Sequence, residues 1–185
     1  MTEESRTLPG ATDLYEANGV ELTLPASFQL GDVERNLEAL FDSLPPEAQP
    51  YEQMMRDFYS DNQDDIVLWA YDAENANQEY TNLLIIRNEA FAALPLSMIT
   101  IITDTFVDEA LEGLLQETVT LGGRETLRLL TTAQVNDDAN AQVIYFFKEA
   151  DVLWMMGFFT NKADIDSQLM VFDAAVASFT VLSQE

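Results

Sequence analysis

The sequence predicts an α+β fold in which an antiparallel sheet is flanked by helices, as in an α/β/α sandwich. Three observations support this prediction. β-rich segments occur in blocks with hairpin spacing, segments of helical periodicity separate the blocks, and 48% of the 185 residues are hydrophobic. Strands and helices grouped in this way are typical of an antiparallel sheet packed against helices. We expect a flexible tail over residues 1–12 and a single domain over residues 13–185, since one domain is usual at this length.

The domain is predicted to begin with a β-hairpin. Residues 14–17 and 20–24 are β-rich and are joined by Asn18-Gly19. This dipeptide favours a type I′ turn, because both central positions of that turn have positive φ. Pro25 is expected to end the second strand, since proline lacks the backbone donor that a strand uses.

Helices and strands are then predicted in blocks. Apolar residues that recur every three or four positions indicate helices, and short runs rich in β-branched and aromatic residues indicate strands. In order, these patterns predict helices over 33–44 and 51–59, strands over 66–72 and 83–87, and a helix from Pro95 to Leu114.

The last third of the chain is predicted to form hairpins and a closing helix. Gly122-Gly123 is a two-residue hairpin signal, and we expect a loop over residues 136–140 and a turn over residues 148–151. The predicted strands are 118–121, 124–132, 142–147 and 152–160, and the helix spans 165–179.

The composition excludes several kinds of active site. The chain has no cysteine and no histidine, so disulfides, thiolate nucleophiles and Ser-His-Asp or Cys-His catalysis are impossible within it. Oxygen-ligated Ca²⁺ or Mg²⁺ stays open. A hydrolase that uses only carboxylates also stays open, although no spacing of acidic residues singles out a catalytic pair.

The charge of the chain limits its partners. With 33 acidic and 8 basic residues, the formal net charge is −25. This charge opposes binding to nucleic acid, which depends on neutralising phosphates, and direct docking on an anionic membrane surface. Cations and basic proteins remain as partners, or the charge only keeps the protein soluble. No run of about 20 apolar residues would span a bilayer, and the first residues are too acidic and polar for a signal peptide.

Two predicted loops carry clustered acidic residues. Asp61, Asp64 and Asp65 lie in the first loop, and Asp137 and Asp138 lie in the second. Both loops are rich in carboxylate and amide oxygens, the ligands that calcium prefers, so these five residues form a candidate metal site. Neither loop has the spacing of an EF-hand. The alternative is that Asp and Asn favour turns. No other cofactor is predicted.

Aromatic and basic residues on the predicted strands are further candidates. Arg124 and Arg128 stand out in a chain with only 8 basic residues. We expect them to pair with acidic neighbours on a sheet face, where such pairs contribute little, or to bind an anion. Six aromatic residues either fill the core between sheet and helices or line a ligand groove: Trp69, Tyr71, Tyr145, Phe147, Trp154 and Phe158.

Several short motifs occur in a characteristic order. They are the opening Gly-Val-Glu-Leu-Thr-Leu-Pro at 19–25, the strand at 81–86, the Leu-Gly-Gly-Arg-Glu turn at 121–125, the strand with Trp154 and Phe158-Phe159, and the ending Phe172…Ser178-Phe179. Over about residues 13–182, this order resembles PsbP-like domains and their bacterial DcrB-like (Mog-type) relatives. The resemblance implies an α/β/α sandwich in a protein that binds rather than catalyses.

The resemblance also implies a cellular context. Members of the family are often exported lipoproteins or lumenal subunits of photosynthetic complexes, and one eukaryotic branch binds a nuclear-transport GTPase. The histidine ligands of some photosynthetic members cannot exist here, so a photosystem role is not expected. We therefore expect a non-enzymatic binding or accessory domain that engages a protein partner, in an extracytoplasmic or membrane-anchored protein whose leader has been removed. A cytoplasmic location and a calcium-binding function are the alternatives, and the sequence indicates no oligomeric state.

Overall fold

The structure is a computed structural model that describes residues 10–31, 56–57, 60, 63–74, 81–99, 112–135 and 138–182. Most of these residues belong to strands, and residues 56–57, 60 and 96–99 are helical. The main elements are β1 Thr12–Ala17, β2 Val20–Pro25, β3 Phe28–Leu30, β4 Ile66–Asp72, β5 Asn82–Asn88, β6 Glu112–Leu121, β7 Arg124–Val135, β8 Asp138–Glu149, β9 Val152–Asn161, the 3₁₀ turn Lys162–Asp164, α1 Ile165–Ser178 and β10 Thr180–Val181.

The strands form two antiparallel sheets. The larger sheet has seven strands in the order β3-β4-β5-β9-β8-β7-β6, and the smaller has three in the order β1-β2-β10. Strands β6 to β9 follow one another as a meander of hairpins. Strand β5 pairs with the far side of β9, which brings the early strands β3 to β5 into the same sheet.

The two faces of the large sheet are both covered. On β8, Tyr145 and Phe147 lie on the face that packs against α1, and Ile144 and Phe146 alternate with them onto the opposite face. The opposite face packs against the turn that begins at Pro95, since Ile99 clusters there with Leu127, Leu129 and Leu153. Burial on both faces confirms the predicted α+β fold, an antiparallel sheet with helical segments on either side.

The small sheet is fixed against α1 and the large sheet by polar contacts. The amide of Thr23 donates to Oγ of Ser178 over 2.9 Å, and Nδ2 of Asn18 donates to the carbonyl oxygen of Val67 over 2.7 Å. Val20, Leu22 and Leu24 place their side chains in the main core. The hairpin that opens the domain therefore closes one end of the sandwich.

The predicted two-residue turns are confirmed by their backbone angles. Asn18 and Gly19 have φ of 47° and 81°, and Gly122 and Gly123 have φ of 55° and 77°. These positive values at both central positions are those of a type I′ turn. The turn between β8 and β9 has the same character without glycine, since Ala150 and Asp151 have φ of 51° and 59°.

Some predicted boundaries are wrong. The helix predicted to run from Pro95 to Leu114 cannot reach its predicted end, because β6 already begins at Glu112 and pairs there with Thr132 of β7. The loop predicted over residues 136–140 is shorter, because β8 begins at Asp138 and pairs with Val135. In both places cross-strand pairing outweighs local preference. Strands β3 and β10 were not predicted.

Two predicted elements lie outside the described residues. These are the helix over 33–44 and most of the helix over 51–59, of which residues 56–57 are helical. None of the helices among the described residues could span a lipid bilayer.

Candidate binding edge

Strand β6 forms one edge of the large sheet. Within the described ranges it pairs with β7 alone. Its register against β7 is regular from Leu115 to Leu121, after an irregularity between Glu112 and Leu115. Leu115 is 53% exposed, and the side chains of Thr118 and Thr120 are also exposed. We call residues 115–121 the β6 edge.

The direction of the backbone groups along the β6 edge follows from its turn. Leu121 and Arg124 flank the two-residue turn, so they exchange both backbone hydrogen bonds, and every second residue of an antiparallel pair repeats this pattern. The amides of residues 115, 117, 119 and 121 therefore point at β7. Those of Gln116, Thr118 and Thr120 point away from the sheet and are available to another strand.

The β6 edge has few of the features that protect a sheet edge from strand pairing. Natural sheets protect exposed edges with charged side chains, above all lysine, or with proline, bulges or short strands. The charged residue of this edge is Glu117, which is bound by Arg128. The segment Leu-Gln-Glu-Thr-Val-Thr-Leu contains no lysine and no proline, and its register against β7 is free of bulges. At the other end of the sheet, β3 has only three residues. The β6 edge is therefore the longer and less protected of the two.

A row of side chains leads from the β6 edge to the centre of the sheet. Glu117 pairs with Arg128 of β7, and Arg128 pairs with Tyr145 of β8. Nε and Nη2 of Arg128 donate to Oε1 of Glu117 over 3.2 and 2.7 Å. The carboxylate of Asp173, on α1, accepts hydrogen bonds from Nη1 of Arg128 over 2.6 and 2.8 Å. It also accepts one from the hydroxyl of Tyr145 over 2.9 Å. We call these four residues the Arg128 cluster.

Burial in the Arg128 cluster decreases towards the edge. The side chain of Asp173 is 3% exposed and that of Arg128 is 12% exposed, whereas that of Glu117 is 42% exposed. The cluster contains one cation and two carboxylates, so it carries one net negative charge. Because Asp173 is enclosed against Arg128, the excess charge is presented to solvent by Glu117. Only Oε1 of Glu117 receives hydrogen bonds from the described residues.

The Arg128 cluster shifts the titration of two of its members. Burial raises the pKa of Tyr145 well above its usual range, and the charge and hydrogen bond of Asp173 raise it further. Burial acts to lower the pKa of Arg128, but the hydrogen bonds to Asp173 and Glu117 outweigh this and raise it. The tyrosine therefore stays neutral and the arginine stays charged at physiological pH.

Arg124 fixes the other end of α1 to the sheet. Its Nη1 and Nη2 donate to the carbonyl oxygens of Phe179 and Val176 over 2.7 and 2.6 Å. These contacts satisfy acceptors that the last turn of a helix leaves open. Nη1 also lies 3.0 Å from Oε2 of Glu149, and the guanidinium carbon lies 4.9 Å from the ring centre of Phe147.

Arg124 and Arg128 have the acidic partners that the sequence predicts, but their location differs from the prediction. They pair with acidic residues, as expected, but they lie between the sheet and α1 rather than on a solvent-exposed face. Apart from Nε of Arg124, which is buried and has no hydrogen-bond partner among the described residues, their donors face carboxylates and the carbonyl oxygens of Val176 and Phe179 in the same chain. A bound anion would have to displace these partners, so the geometry favours the pairing alternative.

An open concavity lies at the β8–β9 turn. It has a volume of about 540 Å³ and is lined by Ala92, Ala93, and residues 148–151. Nζ of Lys148 donates across it to the carbonyl oxygen of Ala92 over 2.6 Å. Its lining consists of three alanines and the charged residues Lys148, Glu149 and Asp151, without the large hydrophobic and aromatic side chains that predominate in small-molecule sites.

The residues of the candidate calcium site are only partly described. Asp64 is exposed and Asp65 is half-buried in the turn before β4, where the carbonyl oxygen of Asp65 accepts the amide of Arg87. Asp61 and Asp137 lie outside the described residues, and for Asp138 only the backbone, in β8, is described. Among the described side chains, no group of three or more acidic residues is arranged to hold a metal ion. Calcium binding by these five residues stays a prediction.

The six aromatic residues divide between the two faces of the sheet. Four fill the core beneath α1, where Phe158 stacks on Phe172 with ring centres 4.3 Å apart; they are Tyr145, Phe147, Trp154 and Phe158. Trp69 and Tyr71 are half-buried on the opposite face, with ring centres 5.2 Å apart. The core alternative therefore holds for the four residues on β8 and β9.

Two members of the Arg128 cluster were not singled out from the sequence, although signals for both exist. Glu117 and Arg128 are equally distant from the Gly122-Gly123 turn, so a regular hairpin places them opposite each other. Asp173 falls four residues after Leu169 and three before Val176, on the buried side of the predicted helix. A charge on that side requires a buried partner.

Comparisons with known proteins agree with this fold. No protein-family model matches the sequence, and no curated protein matches it. Among solved structures, the cyanobacterial PsbP (CyanoP) of Synechocystis is similar with a TM-score of 0.53 and 14% identity, covering 94% of this chain and 95% of that chain. LpqN of Mycobacterium tuberculosis, described as involved in cell envelope biogenesis, is similar with a TM-score of 0.52 and 9% identity, covering 95% and 86%.

A third similar structure comes from a larger protein. A protein of Bacteroides thetaiotaomicron has a TM-score of 0.53 and 7% identity, and the match covers 90% of this chain but 46% of that chain. At these identities the comparisons establish the architecture. The chain is an α+β protein with a PsbP-like fold.

Proposed function

We propose that this chain is a non-enzymatic accessory domain of an envelope protein and that it engages a protein partner. The observation that carries the proposal is the β6 edge. Three outward backbone positions and the exposed Leu115 lie side by side on a regular strand, and an edge of this length without lysine or proline is a template for binding another chain. The PsbP-like fold and the description of LpqN support the envelope context.

The charged groups nearest this edge support a binding rather than a catalytic role. Glu117 and Asp173 are the carboxylates that the structure brings together there, and both are bound by Arg128. Asp173 is enclosed between α1 and the sheet. A glycoside hydrolase needs two carboxylates that face the same substrate, and this pair does not share an open cleft.

We place the domain in the DcrB-like (Mog-type) branch of PsbP-like proteins and outside the cytoplasm, attached to the membrane or exported through a leader. The opening Gly-x-hydrophobic strand β2, the Gly122-Gly123 turn and the closing Phe172…Phe179 helix support this placement. Calcium binding at Asp61, Asp64, Asp65, Asp137 and Asp138 is the alternative function, supported by the exposure of Asp64 in its turn.

Site-specific photo-crosslinking in the native host tests the proposal. Benzoylphenylalanine is placed at one of three exposed positions: Thr120 on the β6 edge, Leu14 on the small sheet or Ser167 on α1. We expect one discrete protein adduct from at least one position, and we expect the adduct protein, once purified, to bind the unmodified domain. No adduct from any position, with the variants folded and correctly localised, would contradict the proposed function.

A further inference from the structure

We propose that the β6 edge binds an extended cationic segment of a partner protein, which adds to the sheet as an eighth strand and places a Lys or Arg beside Glu117. This inference rests on the proposed function and specifies the partner's chemistry. Pairing would use the outward amides and carbonyls of Gln116, Thr118 and Thr120. The ligand is expected to be extended, because the edge of a sheet pairs with an extended chain.

The negative charge of the β6 edge favours a ligand with a positive charge. The Arg128 cluster has one net negative charge, and its exposed end is Glu117. In an added antiparallel strand, the residue opposite Glu117 would have its Cβ about 4.5–5.5 Å away, where opposite charges attract and like charges are destabilising. Oε2 of Glu117 accepts no hydrogen bond from the described residues, so it is available to a lysine or arginine.

The neighbouring side chains specify the rest of the ligand. Leu115, Glu117 and Val119 project from one face of β6, and the polar residues at 116, 118 and 120 project from the other. An added strand that matches this pattern has apolar residues opposite Leu115 and Val119 and a cationic residue between them, opposite Glu117. Its remaining residues, opposite 116, 118 and 120, are small and polar. Exposed Leu115 gains most from such pairing, because it is 53% exposed without it.

A second copy of the chain fits this edge less well than a basic partner. Each chain has a formal net charge of −25, so two copies repel each other. Self-pairing of β6 also offers no cation to Glu117, since the segment from Leu115 to Leu121 contains none. A cationic partner is attracted by the same charge that separates two copies.

A peptide pair tests the inference directly. The lysine probe is the C-terminally amidated peptide Thr-Val-Thr-Lys-Thr-Val-Thr with a rhodamine label of zero net charge on its N-terminus, and the glutamate probe replaces its Lys with Glu. Fluorescence anisotropy at about 20 mM salt, where surface charges are weakly screened, measures both affinities. ¹⁵N NMR spectra of the protein identify the amides that shift. We expect the lysine probe to bind about tenfold or more tightly than the glutamate probe, a difference of about 1.4 kcal/mol, and to shift the amides of Gln116, Thr118 and Thr120.

Two matched pairs of variants separate backbone pairing from charge. Thr118→Pro removes an outward N–H without breaking a bond to β7, which proline tolerates on an edge strand, and Thr118→Val keeps that N–H. We expect about a tenfold loss of lysine-probe affinity for Thr118→Pro alone. Glu117→Gln should reduce the preference for the lysine probe several-fold, whereas Glu125→Gln, the same charge change on exposed β7, should reduce it only slightly. Circular dichroism and urea unfolding confirm that each variant is folded.

The outcomes distinguish this inference from the proposed function. Equal affinity of the two probes, no probe binding, or unchanged binding by folded Thr118→Pro would overturn the inference. A dimer in sedimentation experiments that Thr118→Pro dissociates would also overturn it, since a second copy would then occupy the edge. If a photo-crosslinked partner binds Thr118→Pro as tightly as the unmodified protein, the proposed function stands and the cationic strand is wrong.

Discussion

Arg128 on β7 and Asp173 on α1 form the ion pair that connects the helix to the edge half of the sheet. Nη1 of Arg128 lies 2.6 Å from Oδ1 and 2.8 Å from Oδ2 of Asp173. Both side chains are largely buried, whereas Glu117 on the other side of the guanidinium is partly exposed. The two carboxylates therefore contact the same cation in different surroundings, which makes their contributions to stability separable.

Removing the buried carboxylate of Asp173 is expected to destabilise the protein far more than removing the partly exposed carboxylate of Glu117. Asp173→Asn leaves the buried charge of Arg128 poorly compensated, and losing one partner of a buried pair costs about 3–5 kcal/mol. Glu117→Gln breaks a partly exposed pair, a change of about 0–1 kcal/mol. Urea unfolding at pH 7 measures both free energies. Equal losses in the free energy of unfolding for the two variants would contradict the difference in burial between Asp173 and Glu117.

Stability is expected to fall above about pH 10 because of Tyr145. Its pKa is raised in the folded protein, so the unfolded chain releases this proton first, near the usual value of about 10. The contribution of the neutral tyrosine is complete below that pH and is lost as pH rises. Tyr145→Phe should lower stability at pH 7 by about 1.5–3 kcal/mol, since it removes a hydrogen bond to a carboxylate, and should make the decline above pH 10 shallower. Urea midpoints between pH 7 and 11 measure this; parallel curves would contradict it.

Two neighbouring glycines are expected to respond differently to alanine. Both have positive φ, for which an L-residue costs about 1–2 kcal/mol. A Cβ on Gly122 would also lie 2.3 Å from the carbonyl oxygen of Ala177 in α1, whereas a Cβ on Gly123 meets nothing within 4 Å. Gly123→Ala should therefore show the conformational cost alone, and Gly122→Ala a clearly larger loss. Denaturant unfolding compares them, and the close approach of turn and helix is refuted if the losses are the same.

A substitution in the β8–β9 turn is expected to increase the stability of the protein. Ala150 has φ of 51°, a region that alanine adopts at a cost. Ala150→Gly should stabilise the protein by about 0.5–1 kcal/mol, because the relief of about 1–2 kcal/mol of strain exceeds the freedom that glycine adds to the unfolded chain. Ala26→Gly is the control, because Ala26 is an exposed turn residue without positive φ, where glycine only adds freedom to the unfolded chain. Thermal unfolding should show a higher Tm for the first variant and a lower one for the second; a lower Tm for both would contradict the strain at Ala150.

Calcium binding by the acidic loops predicts a rise in Tm that is specific to calcium. A ligand that binds only the folded state stabilises it by about 2.7 kcal/mol at a hundredfold excess over its Kd. NaCl of equal ionic strength is the control, since any salt screens the repulsion within a chain of net charge −25. The excess should disappear in Asp64→Asn and Asp137→Asn variants. An identical response to both salts would mean that the charge is screened without a calcium site.

Much of the fold is predictable from local pattern. Strand β4 spans residues 66–72 as predicted, and α1 follows the apolar spacing of Ile165, Leu169, Phe172 and Val176. The turn at Asn18-Gly19 follows from the positive φ that Asn and Gly tolerate. The errors lie where pairing with a distant strand extends an element, as at the start of β6, because that energy comes from residues far away in the sequence.

The contacts of the candidate site are harder to predict from the sequence than the fold. The rarity of basic residues singles out the two arginines, but their role depends on α1 and the residue after it: Asp173 binds Arg128, and the carbonyl oxygens of Val176 and Phe179 bind Arg124. Nothing local indicates that β6, rather than another strand, lies at the edge of the sheet. That follows from the order in which β5 joins β9.

The sequence by itself determined the class of fold, the turn types, the absence of cysteine and histidine chemistry and the strongly acidic charge, since each of these depends on residue type or short-range spacing. The tertiary structure alone decided which strand is the edge, which carboxylate is buried and where the excess negative charge meets solvent. These depend on strand order and on the packing of α1 over the sheet, and long-range contacts of this kind leave no periodic signal in a single chain.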